Sequence, residues 1–190
     1  MTTDLKSQVL EASVQLIAEQ GLAGLSMREV ARRAGVSHQA PYHYFDDKAA
    51  IVAALVERGF TLLSERMEAA AHGSSPGQKL ERAGHAYVTF ALDEPVYFRL
   101  MFRPELTDLR RFPGVEAAGA RAYAVLERLV DEHAPRAAQA KRDAMVSMHW
   151  SLVHGLATLL VDGPLGAEFP DAAARTRHVE QVIKLFASSI

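Results

Sequence analysis

The sequence predicts an all-α fold, for three reasons. Apolar residues recur at helical intervals, as at Ile51 and Leu55, so that one face of each segment can be buried. Glycine and proline breaks divide the 190-residue chain into segments of helical length, and no segment alternates apolar and polar residues as a half-buried strand does. With 49% hydrophobic residues, the chain can form a small N-terminal domain and one larger core.

A short helix is predicted to begin at Ser26. The Ser26 hydroxyl can accept from the amide of residue 29 while Glu29 reaches back to the amide of residue 26, which makes a capping box. Val30 and Ala34 share one face, so the helix is amphipathic and about two and a half turns long. Gly35 ends it, because glycine adopts the left-handed conformation without a Cβ penalty.

A second helix is predicted after this turn, with Ser37 as its cap. His38, Gln39 and Ala40 lie at its N-terminus, the part of a helix that meets base edges when it enters the DNA major groove. Pro41 forfeits only the first intrahelical hydrogen bond at this position, so a tight or 3₁₀-like first turn is expected. The spacing therefore predicts a DNA-reading helix-turn-helix.

A third, long helix is predicted over residues 47–71, with Asp46 and Asp47 as its cap. At 1.5 Å per residue it is more than about 30 Å long. It can therefore join a helix-turn-helix DNA-binding domain at residues 1–48 to a second domain at residues 72–190.

The second domain is also predicted to be helical. Ser75 and Gln78 form another capping box, with Pro76 at the first helical position. Later proline and glycine breaks leave further helices. The predicted segments are approximately 76–92, 95–102, 115–132, 136–162 and 171–188.

Residue types and spacings over about residues 5 to 60 resemble the N-terminal domain of the TetR/AcrR family of transcriptional regulators. One departure is Pro41, where the family more often has leucine or isoleucine. The matching residues are Val9, Ala12, Leu16, Ile17, Ala18, Gly21, Leu22, Leu25, Ser26, Val30, Ala31, Ala34, Gly35, Val36, Ser37, Tyr42, Phe45 and Lys48.

This resemblance implies a homodimer that binds a palindromic double-stranded DNA operator. It implies phosphate contacts for Ser37, Tyr42 and Lys48, and groove-facing positions for the two histidines and the glutamine of the second helix. The predicted DNA contacts are Ser26, Arg28, Ser37, His38, Gln39, Ala40, Tyr42, His43 and Lys48.

Some of these residues have simpler explanations. Tyr42 can pack its ring in the core and still present its hydroxyl to a phosphate, whereas Phe45 is expected to be structural. His38 and His43 are five residues apart, which is the wrong spacing for a metal site on one helical face.

The charge balance argues against binding through a basic tail. The chain has a formal net charge of −2, and residues 1–50 contain five Lys and Arg against six Asp and Glu. Attraction to phosphate must therefore come from a local arrangement of Arg28, Arg32, Arg33 and Lys48 together with helix N-termini. We expect modest affinity for random DNA and a moderate salt dependence.

Trp150, His154 and Gly155 resemble the Trp-x-x-x-His-Gly motif of a C-terminal domain found in one TetR subgroup, the WHG subgroup. The resemblance implies that the last two long helices pair with their copies in a dimer. Their apolar stripes bury either in the chain's own core or in a partner. The predicted interface residues are Leu152, Leu156, Leu159, Leu160, Val179, Val182, Ile183 and Phe186.

The same resemblance implies that the second domain binds a small effector. Apolar walls with a few hydrogen-bonding groups suit a mainly apolar ligand, although plain core packing explains such side chains equally well. The predicted effector-binding residues are His85, Phe90, Tyr97, Phe98, Met101, Phe102, Met148, Trp150 and His154.

Several classes of protein are disfavoured. The chain has no cysteine, no Glu-x-x-His, no Gly-x-Ser-x-Gly and no phosphate-binding glycine loop, so an enzyme, a metal site and a bound cofactor are not expected. No signal peptide or membrane span is expected, which fits a cytoplasmic protein.

The sequence therefore predicts a sequence-specific transcriptional regulator, a repressor that is released from its operator by an effector. The long helix is the expected lever, because the two reading helices of a dimer must lie about 34 to 36 Å apart. The alternative is a helical ligand-binding or interaction module without specific DNA binding.

Overall fold

The computed structural model describes residues 5–73, 75–106, 108 and 111–187, and the regular secondary structure of these residues is all helical. Short 3₁₀ turns occur at Leu22–Gly24, Ala40–His43 and Pro104–Leu106. The α-helices are α1 (Leu5–Gln20), α2 (Met27–Arg33), α3 (Lys48–Ala70), α4 (Pro76–Asp93), α5 (Pro95–Met101), α6 (Pro113–His133), α7 (Gln139–Val161), α8 (Pro164–Glu168) and α9 (Ala172–Ala187).

The chain forms two compact units, each assembled from two stretches of sequence. Unit 1 comprises Met1–Gly59 and Val96–Ala118, and unit 2 comprises Phe60–Pro95 and Gly119–Ile190. The first unit therefore includes α5 and the start of α6, which the sequence had placed in the second domain. The boundary at residues 48 to 72 stays a prediction.

The core of unit 1 is formed by apolar side chains of the helices near the N-terminus. Val9 and Leu16 of α1, Val30 of α2, and Ile51 and Leu55 of α3 are completely inaccessible to solvent. Helices this short are marginal in isolation, so burial of these apolar side chains supplies most of their stability.

Unit 2 is built around α4, which packs against both α7 and α9. A Cβ atom at Gly84 of α4 would lie 3.3 Å from Cγ1 of Val153 and 3.8 Å from Cγ2 of Ile183. Glycine at this position therefore lets α4 approach α7 closely, whereas the distance to α9 would allow an ordinary van der Waals contact. Phe90, the largest fully buried side chain, lies one to two turns further along α4.

Most predicted helices agree with the structure to within a few residues. The first helix of the second domain ends one residue later than predicted, and Gln78 Oε1 accepts from the Ser75 amide at 3.2 Å, as its capping box requires. The five-residue helix α8 was not predicted, because Gly163 and Pro164 indicated a break. Residue 188, the predicted end of the last helix, lies outside the described residues.

One helix in the described part of the chain, α7, is long and apolar enough to cross a membrane by length and composition alone. The core helix of a globular domain passes the same test. In this chain α7 packs against α4 and α8, and a continuous line of its side chains is buried there.

Candidate nucleic-acid interface

Helix α2 begins at the predicted cap. Ser26 Oγ accepts from the Glu29 amide at 3.2 Å, which confirms the serine half of the capping box. The Glu29 carboxylate instead accepts from Arg32 Nε at 3.1 Å, and this hydrogen bond lowers the pKa of Glu29. The Glu29 side chain, which was predicted to complete the capping box at Ser26, is therefore bonded to Arg32, one turn further along α2.

The turn after α2 has the predicted left-handed glycine. Gly35 has φ of 68°, and the following Val36 amide donates to the Ala31 carbonyl at 3.1 Å. This pattern satisfies a carbonyl at the helix end and reverses the chain direction. The chain then enters residues 36–44, which we call the reading segment.

The reading segment is a run of tight turns, and the α-helix predicted from His38 is wrong. Successive i→i+3 hydrogen bonds include the Tyr42 amide to the Gln39 carbonyl and the Tyr44 amide to the Pro41 carbonyl, both 3.1 Å. The regular part is the 3₁₀ turn Ala40–His43. Pro41 lacks an amide hydrogen and cannot donate within this run, while its carbonyl accepts from both the Tyr44 and Phe45 amides, the latter an i→i+4 bond of 3.0 Å.

The reading segment exposes polar and aromatic side chains next to one another. Ser37, His38, Gln39 and His43 are exposed, and 45% of Tyr42 is accessible to solvent. Their roles as DNA contacts stay predictions.

Two residues of this segment differ from the sequence prediction. Ala40 is buried with its neighbour Pro41, which argues against its predicted contact with DNA, and that assignment stays a prediction. Tyr44 was missed, although it is 46% exposed and continues the aromatic surface of the segment. Its position beside His43 was the available signal.

The nearby cations are unequally available to phosphate. Arg32 and Arg33 form ion pairs with Glu29 and Glu19, respectively. Arg28 is exposed, and within the described part of the chain it has no ion pair.

Lys48 has a structural contact in addition to its predicted one. Its Nζ donates to the Leu22 carbonyl at 2.7 Å, which ties the start of α3 to the turn after α1. An ammonium group has three donors, so this bond leaves the predicted phosphate contact possible.

Asp47 caps α3, as predicted, and also forms an ion pair. Its Oδ1 accepts from the Ala50 amide at 2.9 Å, and Arg111 Nη1 donates to its Oδ2 at 2.8 Å. The Ala50 bond, followed by the Arg111 bond, lowers the pKa of this carboxyl. Arg111 lies 64 residues away, so sequence reasoning had no means of finding this partner.

Four of the predicted effector-binding residues are buried side chains. Tyr97, Phe98 and Met101 are buried in unit 1, where Phe98 makes an edge contact with Phe102 at 5.6 Å between ring centroids. Phe90 is buried in unit 2. Core packing explains this burial, and the role of these side chains in effector binding stays a prediction.

Two further predicted effector-binding residues, Trp150 and His154, meet Tyr87 in unit 2. The Tyr87 hydroxyl lies 2.9 Å from His154 Nδ1, and the indole of Trp150 also hydrogen-bonds to Tyr87. Because an indole N–H can only donate, the Tyr87 oxygen accepts from Trp150 and its own proton goes to His154. Burial raises the pKa of Tyr87 and lowers that of His154, which keeps both groups neutral.

The remaining two predicted effector residues lie at the surface of unit 2. Met148 is 46% exposed. His85 lines a surface groove of about 640 Å³ between α4 and α9, with Glu81, Arg82, Glu180 and Lys184.

The predicted dimer residues divide into two groups. Leu156, Leu160, Val179 and Ile183 are buried within the chain itself, which argues against a direct interface contact, and their assignment to the interface stays a prediction. Leu159 is 44% exposed. The half-buried members are Leu152, Val182 and Phe186.

Two family models match this chain. Residues 9–55 match bacterial regulatory proteins of the tetR family, and residues 80–182 match the tetracyclin repressor-like C-terminal domain. The first match contains the helix-turn-helix, and the second spans more than half of the chain.

Solved structures have the same fold over almost the whole chain. A Rhodococcus sp. RHA1 protein of unknown function is 27% identical, with a TM-score of 0.77 over 98% of this chain and 93% of that one. The regulator FadR from Bacillus subtilis, solved with stearoyl-CoA, is 18% identical, with a TM-score of 0.75 over 97% and 98%.

A third similar structure is the TetR family transcriptional regulator PfmR from Thermus thermophilus. It is 20% identical, with a TM-score of 0.70 over 93% of this chain and 97% of that one. The helix-turn-helix, the helical second domain and these matches agree, and the chain belongs to the TetR family of bacterial transcriptional regulators.

Proposed function

We propose that this chain is a homodimeric repressor that binds a palindromic operator through its reading segment and is released by a small, mainly apolar effector. The observation that carries the proposal is the exposed reading segment, fixed between the Gly35 turn and the capped start of α3. His38 and Gln39 are its base-reading side chains, and Tyr42 contacts phosphate.

The charge arrangement supports specific binding over general attraction to DNA. Arg32 and Arg33 are already paired with carboxylates, so Arg28 and Lys48 supply the nearby positive charge. Few phosphate contacts release few counterions, so the dependence of affinity on salt is moderate.

An uncharged exposed face of α7 supports the dimer. Residues 144–161 contain no Asp, Glu, Lys or Arg. A Cβ atom at Gly155 would meet nothing within 4 Å, so the face has room for a partner helix. A face of small and apolar side chains permits close packing against its own copy. Its exposed residues include Ala144, Ser147, Met148, Ser151, Thr158 and Leu159.

The hydrogen-bonded group of Tyr87, Trp150 and His154 supports effector binding in unit 2. It places polar handles among apolar side chains, as a site for a mainly apolar ligand requires. Membership of the WHG subgroup, which Trp150, His154 and Gly155 suggested, stays a prediction. That FadR was solved with stearoyl-CoA makes long-chain acyl compounds the first candidates.

A mobility-shift titration with the DNA upstream of the chain's own gene tests the proposed function. We expect a discrete complex that contains two chains per duplex and survives excess random DNA. A folded dimer that shifts no upstream duplex at any salt concentration would favour the interaction module and overturn the proposal.

The proposed effector is tested separately with stearoyl-CoA. Trp150 is the only tryptophan in the sequence, so its fluorescence reports directly on the Tyr87 and His154 group. We expect a saturable fluorescence change and release of the upstream duplex at the same concentrations. A duplex that stays bound at saturation would contradict release by this class of effector.

A further inference from the structure

One carboxylate joins the reading segment to a distant part of unit 1. Asp47 lies two residues after Phe45, which follows the reading segment and is 4% exposed. Its Oδ1 holds the first turn of α3 through Ala50, while its Oδ2 accepts from Arg111 at 2.8 Å. The same side chain therefore fixes where α3 begins and where residue 111 lies.

The Arg111 guanidinium is held in place for this contact. Its Cζ lies 4.9 Å from the ring centroid of Phe112, which is a cation–π arrangement. The Arg111 amide donates to the Asp108 carbonyl at 3.0 Å, so the backbone is also turned there. A side chain with fewer accessible rotamers loses less entropy when it forms an ion pair.

Two close approaches bring the same stretch, Val96–Ala118, against α3. A Cβ atom at Gly59 would lie 2.7 Å from Met101 Sδ, and one at Gly114 would lie 2.8 Å from Glu57 Oε2. A side chain at either position would therefore require the Met101 or Glu57 side chain to move. Residues of α5 and of the start of α6 therefore contact α3, and the Asp47–Arg111 pair lies at the first turn of α3.

We propose that Arg111 is a positioning residue for DNA reading, which acts by holding Asp47 and with it the junction between the reading segment and α3. This inference rests on the proposed function. Arg111 itself contacts no base.

Arg111 and Asp47 carry opposite charges, so removing each charge in turn distinguishes a positioning role from electrostatic attraction of phosphate. If Arg111 acted only by attracting phosphate, removing its charge would weaken DNA binding and removing the Asp47 charge would strengthen it. If the pair positions the reading segment, loss of either partner weakens binding.

The test compares Arg111→Gln and Asp47→Asn by titration of the upstream duplex shifted by the wild type. Asparagine keeps an oxygen for the Ala50 amide and is a good cap, so Asp47→Asn removes the ion pair without removing the cap. We expect each variant to weaken operator binding roughly two- to fivefold, which is the range for an exposed ion pair. The double variant should be no weaker than the weaker single variant.

Arg128→Gln is the matched control. Arg128 also lies on the surface, at 49% exposure against 43% for Arg111, and it donates to Glu132 at 3.0 Å on α6. Its loss removes the same charge from unit 2 and should leave operator affinity unchanged.

Two further readouts exclude a loss of folding. Loss of an exposed ion pair should lower the thermal unfolding midpoint by no more than about 4 °C, and affinity for random duplex should change less than affinity for the upstream duplex. Stronger operator binding by Asp47→Asn, or equal weakening by Arg128→Gln, would overturn the inference. A wild type that shifts no upstream duplex would instead defeat the proposed function.

Discussion

Replacing Gly155 by alanine is expected to stabilise the folded chain and weaken its dimer. Gly155 lies inside α7, and an added Cβ meets nothing within 4 Å in the single chain. Alanine in a helix interior is about 1 kcal/mol more favourable than glycine, so the free energy of unfolding of the monomer should rise by up to that amount.

In the proposed dimer the added methyl group lies in the interface. Overpacking a close contact costs about 1 to 3 kcal/mol, and a two-fold symmetric interface contains the position twice, which gives about 2 to 6 kcal/mol. At about 1.4 kcal/mol per tenfold change, the dimer dissociation constant should rise at least about 25-fold.

Sedimentation equilibrium measures the dissociation constant, and urea unfolding at low concentration measures the stability of the monomer. Gly77→Ala is the control, because a Cβ at Gly77 of α4 lies at an ordinary 3.6 Å from His133 Cε1 and away from α7. It should leave the dimer unchanged. A Gly155→Ala protein with higher stability and an unchanged dimer would refute the assignment of this face.

Three further predictions concern the turn, the buried histidines and the reading segment. Gly35→Ala should lower the free energy of unfolding in urea by about 1 to 2 kcal/mol, because alanine is strained at φ of 68°. An unchanged value would show that the turn relaxes. Burial lowers the pKa of His149 and His154, so the unfolded chain binds more protons just below about pH 6.5, and the urea midpoint should fall as pH drops through that range. A flat midpoint from about pH 7 to 5 would contradict this. Gln39→Ala should relax base preference, whereas Arg28→Ala should weaken binding evenly across sequences in competition titrations. Equal effects of the two variants on base preference would refute this division of roles.

Local signals predicted the helix boundaries well. Ser26, Gly35, Asp47 and Ser75 each act within a few residues of chain, through a cap or a left-handed turn, and the structure has all four as expected. The conformation of the reading segment was harder, because the tight turns extend beyond the single turn that the missing hydrogen bond of Pro41 implies.

Long-range packing was the part that the sequence left open. A helical stripe has the same period whether it faces its own core or a partner, so Leu156 and Leu159 looked equivalent, although Leu156 is buried and Leu159 is exposed. The aromatic residues assigned to an effector pocket have the same ambiguity. The Asp47–Arg111 pair has no local pattern at all, since nothing near either residue indicates the other.

Selection of bound fragments from random duplexes tests the central claim most directly, because it requires no knowledge of the regulated genes. A dimer that places two reading segments in successive major grooves should enrich a palindrome with half-sites about 10 to 10.5 base pairs apart, or a multiple of that spacing. Enrichment of an asymmetric site, or of no sequence from a folded dimer, would contradict the account.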